Sequence, residues 1–447
     1  MSECISLHVG QGGVRMSDPM WRLFCREHEM TLNGSHTPHQ TIPILESEAM
    51  QKVFEETNLG KYRPRAVLVD VEPTATDAIR SGQCRDLFVS DQIISGTGST
   101  NNTFFGSFGG ANHNILEESL NVIRKMAERC SNLEGFMLFH AIGGGTGSGL
   151  GTRLLEELLD RFEKSQNLTF CVLPSPQPQS PSFEAYNNLL ALNSLLNVSH
   201  DTTIYENAAM LDIFEKDPFF YTSTMDDVNH LLAQSVSAIT TQIRFDGTLF
   251  PTLADFQTNL VLYPLIPFVS TSFAPISSIQ RTCQQYSPAE LILSLPTSTN
   301  QLANINHKTG KILAASIMAR GDVVPKDIGQ GVVLGMTKLL TFVDWVPTGS
   351  KYGLSYRPPT RLPDSPLYSG QRSACMLTNT TGLRPIFSGI VEKFDEKFGR
   401  KEDLGRFFDD GAEETDFVEA RESLSRLVGD YYEVEQEVDE EEELQDG

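Results

Sequence analysis

Basic residues, paired cysteines and long apolar runs are all scarce in this 447-residue chain, and each shortage excludes a class of protein. Lys and Arg number 35 against 58 Asp and Glu, a formal net charge of −23. A nucleic-acid binder needs a basic footprint, so that class is excluded. The seven cysteines (Cys4, Cys25, Cys84, Cys130, Cys171, Cys283 and Cys375) are odd in number and scattered, with no Cys-x-x-Cys or Cys/His cluster. Zinc frameworks and disulfide scaffolds are thereby excluded, and buried thiols are expected. No apolar run approaches the roughly 20 residues of a transmembrane helix, and Met-Ser-Glu-Cys-Ile does not begin a signal peptide. A cytosolic protein is expected, with neither nucleic acid nor membrane among its partners. A hydrophobic share of 40% and a charged share of 21% describe an ordinary globular protein, long enough for two or three domains.

What is present is organised around residues 134–162. Phe136 to Ile142 reads as a buried strand of a parallel sheet. Gly143, Gly144, Gly145, Thr146, Gly147, Ser148 and Gly149 follow, and then Leu154, Leu155, Leu158, Leu159 and Phe162 recur at helical spacing. Strand, glycine loop and helix aim free backbone N–H groups and a helix N-terminus at an anion, usually a phosphate. A glycine-rich structural turn is the alternative reading. The loop has no lysine, so it is not a P-loop, and no register of its glycines satisfies the dinucleotide fingerprint. Phosphate charge must then be met by backbone dipoles, Thr146 and a metal.

Other segments repeat the arrangement. Cys4 to Val9 alternates as a half-buried strand, followed by Gly10-Gln11-Gly12-Gly13 and a helical stretch carrying Trp21, Leu23 and Phe24. Residues 33–60 read as a polar, mobile loop. Ala66 to Asp70 is a strand, and Asp70 and Glu72, two residues apart at its C-terminal end, fall on one side of the backbone. Such a pair suits Mg²⁺, which takes one or two carboxylates plus phosphates and waters; an exposed polar strand end is the alternative. Gly96 to Asn102 is a second glycine- and asparagine-rich turn, and a helix follows with Leu116, Leu120, Ile123 and Ala127 on one face. Strand Leu168 to Pro174 runs into a proline-rich extended loop, and Val228, Leu231, Leu232, Val236 and Ile239 mark a later helix. Alternating strands and helices over 1–206 predict a doubly wound, mostly parallel α/β nucleotide-binding domain. From Tyr431 to Gly447 there are nine acidic residues and no basic one, which predicts a disordered tail, either for solubility or as an electrostatic tether.

The heptapeptide Gly143 to Gly149 resembles the signature loop of the tubulin family of GTP-binding proteins. Matches extend over essentially the whole chain, and the resemblance is to the alpha subunit in a divergent form. Val261-Leu-Tyr-Pro, Ala314 to Lys326, Thr341 to Gly349 and the long Thr360 to Arg372 loop carry it in the second half. The resemblance implies a GTP-binding domain at 1–206, a second α/β domain at 207–383, C-terminal helices at 384–430 and a tail at 431–447. It implies GTP and Mg²⁺ as cofactors. Gly10, Gln11, Glu72, Asn101, Ala141, Gly144, Gly145, Thr146, Gly147, Ser180, Asn207, Met225 and Asn229 would line the nucleotide, with Asp70 and Glu72 on the metal side. Ser180 would touch the ribose, and Asn207 and Asn229 would read guanine.

The sequence also departs from the family. Met225 stands for a stacking tyrosine, Ala141 for a serine, Gln40 for a modifiable lysine, and the 96–102 turn lacks the family's lysine and two carboxylates. Asp255 stands where a glutamate would orient the water attacking the GTP of the next subunit. Beta-tubulin is the implied partner, with microtubule lattice neighbours and, through the tail, basic associated proteins and motors. The expected activity is a GTPase completed between subunits on polymerisation, in the cytoplasmic cytoskeleton. A subunit that binds GTP statically with little hydrolysis is the second reading, and a prokaryotic-type filament GTPase a remote third.

Overall fold

In the computed structural model the described residues are 2–36, 50–96, 98, 101–108, 113–175, 180–220, 223–245, 249–278, 286–307, 309–343, 345–346, 350–368 and 370–436. Cys283, Gln40, part of the 96–102 turn, part of the proline-rich loop and the tail from 437 on lie outside them. The strands of the first half are β1 (Glu3–Val9), β2 (Phe54–Glu56), β3 (Tyr62–Pro64), β4 (Ala66–Asp70), β5 (Ile93–Ser95), β6 (Leu133–Ala141), β7 (Gln166–Leu173) and β8 (Asp201–Glu206). The second half adds β9 (Phe268–Ala274), β10 (Lys311–Gly321), β11 (Thr341–Phe342), β12 (Ser350–Ser355) and β13 (Arg372–Thr380). All but the β2–β3 hairpin join one sheet in the order β11-β10-β13-β9-β8-β7-β6-β1-β4-β5, with β12 also on β10. From β9 to β5 every pairing is parallel, and β13 runs antiparallel to both β9 and β10.

Parallel strands need crossovers, and the helices that supply them cover both faces. They include α1 (Gly10–Glu27), α2 (His113–Arg129), α3 (Gly151–Arg161), α4 (Ser182–Val198), α5 (Met225–Arg244) and α6 (Leu253–Leu260), with α7 (Arg384–Gly399) and α8 (Glu414–Gln436) at the C-terminal end. The period of two sorts side chains between the faces. Ile5, Leu7, Phe136 and Leu138 pack with Leu120 and Ile123 of α2 and with Leu154 and Leu158 of α3. Cys4, Met137 and Phe139 point the other way, onto Met20, Trp21 and Phe24 of α1 and Leu231 and Val236 of α5. The described cysteines are all free, and only Cys130 is not fully buried.

Three expectations need correction. β1 is buried along its whole length rather than half-buried, because it lies between β4 and β6 with helices on both faces. Residues 54–56, within the segment read as loop up to 60, form a strand that pairs as a hairpin with 62–64. The sheet itself runs on across the 206/207 boundary, since β8 pairs with β9. The C-terminal helical region also extends beyond the expected 430. α8 continues to Gln436, because Tyr431 is fully buried and stacks on Phe387 at 6.0 Å while Arg384 pairs with Glu435 at 3.0 Å.

One buried ionic cluster ties the two halves together. Glu27, at the end of α1, pairs with Arg244 at the end of α5 (2.7 Å) and with Arg320 of β10 (2.8 Å), and the Ser237 hydroxyl donates to its carboxylate at 2.7 Å. The Arg244 guanidinium also lies 3.9 Å over the Phe24 ring.

Candidate nucleotide site

A cavity of about 360 Å³ opens at the C-terminal ends of β1, β4 and β6, where ligands bind in parallel α/β sheets. It is lined by Gln11, Asp70, Glu72, Ala141, Gly144, Gly145, Thr146, Gly147, Met225 and Asn229, all expected there, and by Arg15 and Asn102. The glycine loop reaches its place through close backbone contact. Gly10 has φ +73°, and a Cβ on it would lie 2.8 Å from the Gly147 nitrogen. A Cβ on Gly147 would strike the Ala141 carbonyl at 2.1 Å. Gly10 therefore sits beneath the loop as its support rather than in the cavity wall.

The loop closes into a π-helical turn, Thr146–Leu150, that leads into α3, and the first N–H groups of such a turn have no partner within the helix. The Ser148 hydroxyl donates back to the Gly144 carbonyl at 2.6 Å. His140 Nδ1 lies 2.8 Å from the Gly147 carbonyl; burial pushes this imidazole down to about 4, so it is neutral and Nδ1–H is the donor. His8 plays the matching part under Gly13. Its Nε2 accepts from the Trp21 indole at 3.1 Å, which leaves Nδ1–H for the Gly13 carbonyl at 3.2 Å. Asn187 of α4 binds the loops together, donating to the Gly143 (3.0 Å) and Asn102 (2.8 Å) carbonyls and accepting from the Phe104 N–H (2.8 Å).

Two side chains that shape this site are absent from the sequence-based expectations. Asn187 is one, and nothing local marks it, since its three partners lie in other segments. Arg15 is the other. It stands one turn after Gln11 on α1, exposed, and is the one cationic side chain lining the cavity among the described residues. No ion pair holds it among those residues. A helix drawn from Gly10 would have put it on the Gln11 face at i+4.

Asp70 is 2% exposed, and burial pushes its carboxyl up to about 6, against hydrogen bonds from the Glu72 N–H and the Thr146 hydroxyl. Glu72 beside it is exposed. Two carboxylates next to a phosphate-sized cradle fit Mg²⁺ shared with phosphate oxygens, whereas no group of three or more potential metal ligands occurs among the described residues. The pH dependence has a definite sign. With the folded-state value raised, the fold favours the protonated acid, so this contribution to stability is lost as pH rises through about 6. Cation binding requires the ionised form and moves oppositely. Mg²⁺-dependent nucleotide affinity, titrated calorimetrically, should rise with pH through about 6 and level off above it, and Asp70→Asn should flatten the rise.

Three of the expected residues are not among the described residues that line this cavity. Asn101, in the left-handed region at φ +53°, precedes the lining residue Asn102. Asn207, half-buried, opens the helix after β8, and Ser180 lines a second cavity with Glu206 rather than this one. Pro174, which lines that second cavity, abuts the glycine loop, 3.2 Å from a Cβ on Gly143.

Asp255 is remote from all of this. It is the third residue of α6, half-buried, and its Oδ2 accepts from the Thr252 N–H (2.9 Å) and hydroxyl (2.5 Å). The same helix start is fastened to Glu134, whose carboxylate accepts from the Leu253 N–H. Glu134 begins β6 and the glycine loop follows its other end, so at about 3.3 Å per residue the two stand roughly 23 Å apart. Exposed apolar residues follow α6: Leu262 (41%), Tyr263 (44%) and Leu265 (72%), with Trp345 (39%) edge-on to Tyr263 at 5.4 Å.

Fold and site together define a doubly wound nucleotide-binding protein that cradles phosphate with backbone instead of a loop lysine. Comparison with known proteins narrows this. Residues 3–215 match the GTPase domain of the Tubulin/FtsZ family and residues 264–392 match the tubulin C-terminal domain. The chain is similar to the tubulin alpha-1 chain of Arabidopsis thaliana, with 39% identity over 436 residues, 97% of each chain. It belongs to the tubulin family, as a divergent relative of alpha-tubulin, and GTP binding comes with the GTPase domain it carries.

Proposed function

We propose that this chain is an alpha-tubulin-like subunit of cytoplasmic microtubules that holds GTP in the 360 Å³ cavity and pairs end to end with beta-tubulin. The observation that carries the reading is the separation of Asp255 from the chain's own cavity by the length of β6, beside an exposed apolar surface. A carboxylate so placed cannot serve its own nucleotide but can serve that of a subunit docked on α6. Each chain then holds half of a reaction centre, and polymerisation joins the halves.

Within the cavity the backbone N–H groups of Gly144 to Thr146 would bind phosphate oxygens, Gln11 and Thr146 would orient them, and Asn229 would face the base. Mg²⁺, held by Asp70 and Glu72, would neutralise phosphate charge. Arg15 would supply the cation that the loop lacks. Arg15→Gln should weaken GTP binding about tenfold, the loss of one charge-assisted contact, and leave guanosine binding nearly unchanged. Fluorescence titrations at low and high salt check this, the difference shrinking as salt screens the charge. The acidic residues towards the C-terminus would attract basic microtubule-associated proteins and motors.

A static GTP-binding subunit is the second reading. What favours it is the engagement of the Asp255 carboxylate by Thr252, which turns it onto its own helix. Co-purification with beta-tubulin, release of the bound nucleotide by acid and chromatography test the common part. One guanine nucleotide per chain in excess of that held by beta-tubulin is expected, and none would refute both readings.

A further inference from the structure

Asp255 is not the only acid at the start of α6. Thr252 and Leu253 present consecutive N–H groups at the open end of that helix, and a different carboxylate takes each. Asp255, from within the helix, accepts from the Thr252 N–H at 2.9 Å, and Glu134, from the start of β6, accepts from the Leu253 N–H. Glu134 is half-buried; the Cys4 thiol of β1 lies 3.9 Å from its Oε2, the Ser2 hydroxyl donates to it, and Lys52 is the cation that acts on it. The Lys52 ammonium itself donates to the Pro251 carbonyl at 3.3 Å, just ahead of α6. A cap alone does not account for a charge at Glu134. The Leu253 N–H needs only an acceptor, which a neutral amide supplies without burying an ion. The capping box is already complete with Thr252 and Asp255.

We propose that Glu134 is a positioning residue for hydrolysis at the neighbouring subunit: its charge drives the Asp255 carboxylate off Thr252 and towards the subunit docked on α6. The inference rests on the role proposed for Asp255. Like charges at one helix end repel. Glu134 is anchored in the sheet and bonded to Leu253, so the repulsion is relieved by Asp255 turning outward. With Glu134 protonated the repulsion is gone, and the capping box keeps Asp255 on its own helix. Burial, with the Asp255 charge adding to it, raises the Glu134 carboxyl above its usual range, against the Leu253 N–H, the Ser2 hydroxyl and Lys52. Burial also pushes the Cys4 thiol up, so that neighbour stays neutral. Hydrolysis should therefore quicken as pH rises through the window in which Glu134 ionises.

Phosphate released per polymer mass, measured over a series of pH values in polymer co-assembled with beta-tubulin, tests this. Glu134→Gln keeps the reach and an acceptor oxygen for the Leu253 N–H and loses only the charge. It should assemble as the parent does, hydrolyse about tenfold more slowly and lose the acidic limb of the pH profile. Lys52→Gln removes the cation that favours ionised Glu134, so the limb should move to higher pH. A purely structural cap predicts that Glu134→Gln behaves as the parent at every pH. A parental rate and profile for Glu134→Gln, or a limb unmoved by Lys52→Gln, would overturn the proposal and leave the role of Asp255 standing. Hydrolysis that survives Asp255→Ala would overturn both. If Glu134→Gln does not co-assemble, Lys52→Gln, which leaves both carboxylates in place, still decides it.

Discussion

Polymer assembled from beta-tubulin and the Asp255→Glu variant should release phosphate on the order of 10²-fold faster than polymer containing the parent chain. Two features of Asp255 set that expectation. Its carboxylate is one methylene shorter than that of the glutamate it stands for, and misplacing a catalytic group by about 1 Å costs on the order of 10²-fold. It is also engaged: the Thr252 N–H at 2.9 Å and the Thr252 hydroxyl at 2.5 Å hold it in a capping box at the start of α6. Glutamate adds reach at a position where a capping box also accepts it, so the helix start survives the change. Asp255→Ala removes both functions. It should abolish polymer-stimulated hydrolysis and destabilise the start of α6 by about 1 kcal/mol, without altering the nucleotide bound roughly 23 Å away at the other end of β6. Phosphate release measured against polymer mass separates the cases. An unchanged rate for Asp255→Glu would show that this residue does not reach a neighbouring nucleotide, and persistent GTP in well-formed polymer would favour the static subunit.

The parts of the site visible in the sequence are those built from consecutive residues. Gly143 to Gly149 announces itself because so many glycines in a row have few uses other than close backbone approach, and the structure uses them so, Gly147 against Ala141 and Gly10 against Gly147. Asp70 and Glu72 were visible through the strand they end, and the leucines of α3 through their spacing. Burial of β1 on both faces was not visible, because alternation in Cys4 to Val9 reports Ser6 and His8 as polar. The fold buries both, His8 by giving its ring nitrogens to Trp21 and Gly13. Asn187 was invisible for a related reason: its value lies in three carbonyl and amide partners from two other segments. Ser180 and Asn207 are assigned to the nucleotide by resemblance alone, because no spacing in the sequence ties the segments that carry them to the glycine loop.

Glu27→Gln should cost about 3–5 kcal/mol of stability, the usual result of removing one member of a buried charge set and leaving the others unpaired. Burial pushes the Glu27 carboxyl up, but Arg320 and Arg244 together outweigh it and hold it at about 2. Because the value is lowered on folding, the contribution is complete above the unfolded carboxylate range, near pH 4.5, and is lost as pH falls towards about 2. Acid unfolding of the parent should therefore steepen in that window, and Glu27→Gln should lack this limb while being less stable at neutral pH. Urea titration followed by circular dichroism reads both. Replacing Glu27, Arg244 and Arg320 together by apolar residues of similar volume should cost less than Glu27→Gln alone, since no charge is then stranded. The functional consequence follows from where the helices point. α1 begins with Gln11 and Arg15 at the cavity and ends at Glu27; α5 begins with Met225 and Asn229 at the cavity and ends at Arg244. One ion pair thus fixes the far ends of both helices whose near ends face the nucleotide. Glu27→Gln should weaken GTP binding even though Glu27 lines no part of the cavity. A variant with parental GTP affinity but reduced stability would show that the near ends are held by their own loops and that the cluster serves the fold alone.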